Sequence, residues 1–261
     1  TLLLVSVIAI PGAALADLRF SSAQNGGFPL VGKDIKADIL IDAGDDEVVS
    51  TVAQCVASDV KAVTGQGLDV CGVPGKGQAL VIAGTIGQSR WIDSLVAEAI
   101  VDTAGVAGQW EAYRLQLVQK PMEGVEQALV VMGGTPRGTA YGLFEISRRI
   151  GVSPYIWWAD VAPAPMPGIY VEGDKTQAEA PSVKYRGLFI NDEDWAMLPW
   201  AKKTFDVAYG NIGPNTYDKV MELLLRLRGN CLWPAKHQSS RAFWSSDDNK
   251  RLAHKWCMVM S

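Results

Sequence analysis

The sequence predicts an α/β protein, in which a mixed α/β sandwich domain precedes the first units of a (β/α)8 TIM barrel. Three observations predict this order. Strand and helix signals alternate over residues 17–158, prolines interrupt residues 159–182, and residues 183–261 read strand, helix, strand, helix, strand. The chain has 261 residues and is 48% hydrophobic, enough for a sizeable core. We expect a truncated barrel that continues past Ser261, because half a barrel would expose apolar strand edges.

Residues 1–16 resemble the apolar region and cleavage site of a secretory signal peptide whose basic start is missing. Ala14, Leu15 and Ala16 give the small-x-small cleavage pattern, and Asp17 would begin the mature chain. The run is too short, and too broken by Pro and Gly, to span a bilayer well. We therefore expect a secreted, extracellular protein with no membrane partner. The alternative is a buried strand or helix.

The first half predicts one long helix and four strands. Residues 47–63 carry valines at helical spacing, and Gly65 follows as a stop signal. The predicted strands cover residues 37–42, 79–84, 113–118 and 128–132. A glycine-rich turn at residues 133–138 then enters a second helix. Its spacing matches neither dinucleotide nor P-loop motifs, which indicates a closely packed turn and no nucleotide cofactor.

Residues 159–182 are interpreted as a Pro-rich linker with one extended segment near residues 168–172. Beyond it, a strand is predicted around residues 185–190. A helix with an apolar stripe follows, for which Asn215 or Thr216 is the expected cap, and Gly229 ends it. Residues 230–234 form the second expected strand, residues 247–256 a helix, and residues 257–260 a third strand.

The net charge of −4 argues against a nucleic-acid partner, which would require a basic surface. Secretion would permit disulfides among Cys55, Cys71, Cys231 and Cys257, with Cys55–Cys71 the favoured bridge and the other two expected as buried thiols. Sequence alone does not fix this pairing. The chain has only two histidines and no CxxC motif, so we expect no zinc site and no other metal or cofactor.

An acidic segment follows the strand at residues 185–190. Asn191, Asp192, Glu193 and Asp194 lie where a barrel strand would meet its substrate. Acids this close repel each other, so they indicate catalysis, metal binding, sugar binding or a solvated turn.

Four blocks of sequence carry a family pattern. They are GGTPRGTAYG at 133–142, PYIWWADV at 154–161, KYRGLFINDEDW at 184–195, and LLLRLRGN followed by LWPA over 223–235. Together, in this order, they resemble glycoside hydrolase family 115, the xylan α-1,2-glucuronidases. The resemblance runs from about residue 20 to the last residue. It implies release of (4-O-methyl)glucuronic acid from xylan with inversion, with the main catalytic carboxylates on later strands that this chain does not contain. The catalytic residues therefore stay unknown, and the chain alone is predicted to be inactive.

The resemblance makes Asp192 a substrate-contacting residue, with Asn191 and Glu193 as weaker candidates because adjacent strand residues face opposite ways. Trp233 could stack on a sugar ring or pack in the core. The family pattern leads us to expect Met and Trp after Trp233-Pro234-Ala235, where this chain has Lys236 and His237. A uronate carboxylate calls for a cation. Lys236 or His237 is therefore a candidate contact, with Arg241 also available and an ordinary solvated lysine as the alternative.

Two alternatives to this enzyme stay open: a non-catalytic carbohydrate-binding relative, and another glycosidase family with the same domain order, such as hexosaminidase-like enzymes. Acid and base carboxylates on later strands would distinguish an enzyme from a binding protein. The expected partner is a xylan polysaccharide or oligosaccharide, and a homodimer is an expected assembly of the complete protein.

Overall fold

A computed structural model of the protein describes residues 17–75, 79–192 and 194–261. The expected signal peptide, residues 1–16, lies outside this part of the chain. Within the described ranges, no helix is long and apolar enough to cross a membrane.

The helices and strands occur along the chain in the following order: β1 (Arg19–Ser21), β2 (Phe28–Val31), β3 (Asp38–Leu40), α1 (Glu47–Thr64), β4 (Val70–Cys71), β5 (Ala79–Thr85), α2 (Arg90–Ala97), β6 (Tyr113–Met122), β7 (Val125–Gly133), α3 (Pro136–Arg149), β8 (Ile169–Glu172), β9 (Lys175–Ala178), β10 (Gly187–Phe189), α4 (Met197–Ala201), α5 (Pro214–Arg226), β11 (Cys231–Trp233), a 3₁₀ turn (Phe243–Ser245), α6 (Asp247–Lys255) and β12 (Val259–Met260).

The long helix α1 begins and ends close to where the sequence predicts. Asp46 caps it by accepting a hydrogen bond from the backbone N–H of Val48, and Gly65 closes it in the left-handed conformation at a φ of 78°. Its valines form a continuous buried stripe (Val48, Val52, Val56, Val60 and Val63). Burial of this stripe against the neighbouring layer, more than helix propensity, holds α1 in place.

A six-stranded sheet in the order β4-β3-β5-β7-β6-β9 forms the centre of the N-terminal half. Strands β4, β3, β5 and β7 are parallel, whereas β6 is antiparallel to both β7 and β9. Helices α1 and α3 belong to one apolar cluster, and α2 contributes Ile92 and Leu95 to a second cluster with β3, β5 and β7. The predicted mixed α/β architecture is confirmed for this half.

The segment expected as a linker contains two strands of the N-terminal sheets. Strand β8 pairs with both β1 and β2 in a separate antiparallel sheet, and β9 forms the edge of the six-stranded sheet beside β6. The extended segment expected near residues 168–172 is confirmed as β8, but the linker interpretation is wrong, because β8 and β9 both pair within sheets. Strand β9 reads Lys-Thr-Gln-Ala, which has no apolar alternation, so its sequence carries almost no strand signal.

Three parallel strands, in the order β10-β11-β12, follow this half. Residues Leu188 and Leu232 are register partners, and α5 and α6 connect the successive strands. The start of β10 requires glycine, because a Cβ atom at Gly187 would lie 1.9 Å from the carbonyl oxygen of Cys231. The alternating strand–helix order is confirmed; its closure into an eight-stranded barrel stays a prediction.

The four cysteines are free thiols. The expected Cys55–Cys71 bridge is wrong: Cys55 lies on α1 facing α5, whereas Cys71 lies on β4 near Asp38. Burial raises the pKa of the Cys55 thiol to about 12, so this sulfur is unreactive at neutral pH. Cys231 and Cys257 are half-buried thiols.

Candidate functional site

Two aromatic rings lie side by side where β10 and β11 end. Phe189 and Trp233 are register partners, so both side chains project from the same face of the parallel sheet. Their ring centroids are 4.3 Å apart and their planes are tilted by 31°. The rings stay 42% and 41% exposed, whereas Leu232, on the opposite face, is buried. The pair therefore offers an apolar surface at the carboxyl edge of the sheet, where barrel enzymes bind their substrates.

Cationic side chains follow directly after β11. The Nζ atom of Lys236 lies 4.6 Å from the centroid of the Trp233 ring, within cation–π range. The Nδ1 atom of His237 lies 3.8 Å from Oδ1 of Asp194 and 2.8 Å from Oγ of Ser239. The structure thus places Lys236 over Trp233 and His237 beside Asp194, and it adds Phe189 and Asp194 to the candidate residues. Contact of any of them with a sugar stays a prediction. Both additions carry a sequence signal, since Phe189 ends the predicted strand and Asp194 belongs to the acidic segment.

The acidic segment after β10 divides into different environments. Asp192 is buried, and its two carboxylate oxygens accept hydrogen bonds of 3.0 Å from the backbone N–H groups of Met197 and Leu198. It therefore caps the first turn of α4 and holds the loop between β10 and α4 in place. Asn191 is exposed, and Glu193 lies outside the described residues. Direct contact of Asp192 with a sugar stays a prediction.

Aromatic stacking anchors the loop that Asp192 begins. Trp200 on α4 packs against Trp158, with ring centroids 5.3 Å apart, and both contact Phe205 edge-on. Trp158 precedes β8 in the chain, so it joins the N-terminal half to the strand-end loop. Trp195, by contrast, is 87% exposed. Part of the loop is thus held rigidly while one large ring faces solvent.

A buried aspartate that the sequence did not reveal holds the next helix. Asp206 accepts hydrogen bonds from the backbone N–H groups of Gly213 and Thr216, at 3.0 and 2.9 Å, and from Asn215 at 3.2 Å. The expectation that Asn215 or Thr216 caps α5 is therefore wrong: the helix begins at Pro214, and its free N–H groups bond to Asp206. A cap so far upstream leaves no local sequence signal.

The amino ends of the same strands meet a buried ionic cluster, which we call the Glu111 hub and define by Glu111, Arg137, Arg186 and Asn230. The carboxylate of Glu111 has no solvent exposure and accepts hydrogen bonds from Arg137 at 2.6 Å, Arg186 at 2.5 Å and Asn230 at 2.8 Å. Burial lowers the pKa of Arg137, but its bond to Glu111 outweighs burial and the net pKa is raised. The hub thus fixes strand positions and lies at the edge opposite to the aromatic pair.

A cavity of about 470 Å³ lies between α1, α5 and α6, away from the strand ends. Its charged walls pair with one another. Arg226 binds Asp59 through two nitrogen–oxygen contacts of 2.7 and 3.0 Å, and Glu222 accepts hydrogen bonds from Trp157 and Lys219. The acceptors around this cavity are thus largely occupied, and it joins the two halves of the chain.

Comparisons with known proteins find one matching family model and several similar solved structures. The family model described as glycosyl hydrolase family 115 matches residues 178–261. Among solved structures, the chain is similar to BtGH115A, a GH115 4-O-methyl-α-glucuronidase with specificity for decorated arabinogalactans. The two share 36% identity at a TM-score of 0.76, over 88% of this chain and 29% of that one.

Two further structures, of much lower sequence identity, are similar to this chain in fold only. CpGH84D is 10% identical at a TM-score of 0.52, over 98% of this chain and 36% of that one. The chitobiase of Flavobacterium johnsoniae is 10% identical at a TM-score of 0.51, over 94% of this chain and 33% of that one. The chain thus spans roughly a third of the length of these structures. No curated protein matches it.

Proposed function

We propose that this chain, a relative of glycosyl hydrolase family 115, is the amino-terminal part of a glycoside hydrolase that releases glucuronic acid or its 4-O-methyl ether from a plant polysaccharide. The observation that carries the proposal is 36% identity to a 4-O-methyl-α-glucuronidase over 88% of this chain. The half-exposed Phe189–Trp233 pair supports it, because flat apolar rings suit the faces of sugar rings.

In this proposal the chain positions the sugar and does not break the bond. An inverting glycosidase needs an acid and a base about 6.5–9.5 Å apart, with room for a water between them. The carboxylates beside the aromatic pair have other tasks: Asp192 caps α4, and Asp194 faces His237. We therefore assign the acid and the base to further strands of a complete (β/α)8 barrel. The isolated 261 residues are then inactive.

Glucuronoxylan is the first proposed substrate, and decorated arabinogalactan is the second because BtGH115A is specific for it. The deciding experiment incubates the complete protein with each polymer and measures released acidic sugar by chromatography, with NMR to read the anomeric configuration of the first product. Release from one polymer identifies the substrate. Binding to either polymer without any release would support the non-catalytic alternative.

Secretion is part of the same proposal, since these polymers lie outside cells. Asp17, the first residue after the signal-like segment, is held in place: its carboxylate pairs with Arg149 at 3.0 Å and accepts a hydrogen bond from Thr176. A mature chain beginning there would start on an anchored residue. Amino-terminal sequencing of the secreted protein tests this, and light scattering tests the expected homodimer.

A further inference from the structure

The Phe189–Trp233 pair explains how a neutral sugar ring could be held, but not how an acidic sugar would be distinguished from it. The net charge of the chain is −4, so its overall field does not attract an anion. A carboxylate-bearing sugar therefore needs a cation within contact distance of the rings. Lys236, His237 and Arg241 follow β11 closely enough to be compared for this role.

Two of these three cations already have partners. His237 contacts the Asp194 carboxylate at 3.8 Å and the Ser239 hydroxyl at 2.8 Å. The guanidinium of Arg241 lies over the Tyr209 ring, 4.6 Å from its centroid and not on the aromatic pair. Both groups thus contact side chains other than the exposed rings.

Lys236 differs from both. Its ammonium lies over Trp233 itself, its side chain is exposed, and no carboxylate of the described residues forms an ion pair with it. One face of the Trp233 ring meets Phe189, so the ammonium shields ring surface that a ligand would need. A cation–π contact at an exposed site is weaker than a hydrogen bond between an ammonium and a carboxylate. An arriving carboxylate can therefore draw the ammonium off the ring.

We propose that Lys236 is the specificity-determining residue of this site: it leaves the Trp233 ring to bind the carboxylate of a hexuronic acid, whose ring then stacks on the uncovered indole. This inference rests on the proposed function and adds to it the group that recognises the acid. It predicts selectivity for the charged sugar over its neutral counterpart, because a hydroxymethyl group cannot draw the ammonium away.

The test uses the complete protein with glucuronic acid and glucose as probes, since they differ at this carboxylate. Binding is measured by calorimetry for the parent and for Lys236→Met, Lys236→Arg and Lys61→Met. Lys61 is an exposed lysine on α1 and serves as the matched control. We expect Lys236→Met to weaken glucuronic acid binding by about 10-fold to 100-fold, from the usual strength of a charge-assisted hydrogen bond. Glucose binding does not weaken, because Lys236→Met removes only the ammonium that covers the Trp233 ring. Lys236→Arg retains most of the preference, and Lys61→Met alters the binding of neither sugar.

Kinetics separate failure of this inference from failure of the proposed function. If the complete protein releases glucuronic acid while Lys236→Met changes neither its binding nor KM, Lys236 is not the recognition group and the proposed function stands. If no acidic sugar is released, the proposed function fails, and selective loss of glucuronic acid binding in Lys236→Met would still support the inference. Equal loss of glucose and glucuronic acid binding in Lys236→Met would overturn the inference, because Lys236 would then only hold the Trp233 ring in position.

Discussion

Glu111 and Asn230 lie 119 residues apart in the sequence and are joined by a hydrogen bond of 2.8 Å from Nδ2 of Asn230 to Oε1 of Glu111. The same amide donates to the carbonyl of Lys184 and accepts from the backbone N–H of Arg186. Asn230 precedes β11 and Arg186 precedes β10, so one buried carboxylate aligns the beginnings of both strands. Arg137 extends the Glu111 hub to β12 through the carbonyl of Cys257, at 2.7 Å.

We expect Glu111→Ala to lower the free energy of unfolding by about 3–5 kcal/mol, because it leaves buried guanidinium groups without their anion. Urea denaturation of the parent and the variant measures the difference. Glu123→Ala is the control: this glutamate is exposed in the turn between β6 and β7, and its loss should cost less than about 0.5 kcal/mol. Equal effects of the two substitutions would show that the hub does not stabilise the chain.

Gly187→Ala should disturb the pairing of β10 with β11, since its Cβ atom would lie 1.9 Å from the Cys231 carbonyl oxygen. The expected loss of stability is about 3 kcal/mol, near the top of the usual overpacking range. Thermal unfolding compares it with Gly44→Ala, where the nearest atoms are 3.7 Å from the added methyl. A Gly187→Ala variant as stable as Gly44→Ala would disprove the tight contact.

Stability should fall in acid partly through Glu145. Burial raises the pKa of this carboxyl, but hydrogen bonds from Arg148 and Arg149 outweigh burial and lower it from 4.5 to about 2. A depressed pKa in the folded state stabilises the protein above pH 4.5, and the contribution disappears as pH falls towards 2. Glu145→Gln should therefore be less stable than the parent at pH 7 and approach it near pH 2. Denaturation measured across this range checks the trend, and a pH-independent difference would contradict it.

The two roles considered for Asp192, capping of α4 and contact with a sugar, predict different effects of the same two substitutions. If it acts mainly by capping α4, Asp192→Asn keeps one acceptor oxygen, whereas Asp192→Ala loses both and costs about 0.5–2 kcal/mol locally. Tryptic cleavage after the exposed Lys202 and Lys203 should then accelerate roughly 2-fold to 30-fold in Asp192→Ala and less in Asp192→Asn. If Asp192 also contacts the sugar as an anion, Asp192→Asn in the complete protein raises KM as much as Asp192→Ala, with little added proteolysis.

Local signals in the sequence were sufficient wherever neighbouring residues determine the structure. The valine spacing and Gly65 predict α1, and the apolar residues at 230–234 predict β11. The signal was missing wherever the partner lies far along the chain: β9 pairs with β6, and Asp206 caps a helix that begins at Pro214. The sequence predicts Trp233 as a stacking ring and Lys236 as a cation for a uronate carboxylate, but the contact between the two side chains is seen only in the structure.

Three of the four sequence blocks that resemble the family contribute to the Glu111 hub. Arg137, Arg186 and Asn230 belong to three of the four blocks that carry the resemblance, and all three converge on Glu111. These residues surround the amino ends of the strands, opposite to the aromatic pair, and their hydrogen bonds hold the strands in position. Similarity to the family at these three positions therefore indicates a shared contact between the two halves of the chain. A shared function has to be argued from the residues at the carboxyl ends of the strands.

The position of the Glu111 hub bears on how the protein forms during synthesis. Glu111 and Arg137 leave the ribosome before Arg186, Asn230 and Cys257, and amino-terminal domains generally fold first. A folded first half would present a ready anchor to each strand as it emerges, seating β10, then β11, then β12 at their beginnings. The amino-terminal half would then work as a template for β10, β11 and β12, setting where each new strand starts before its neighbours exist.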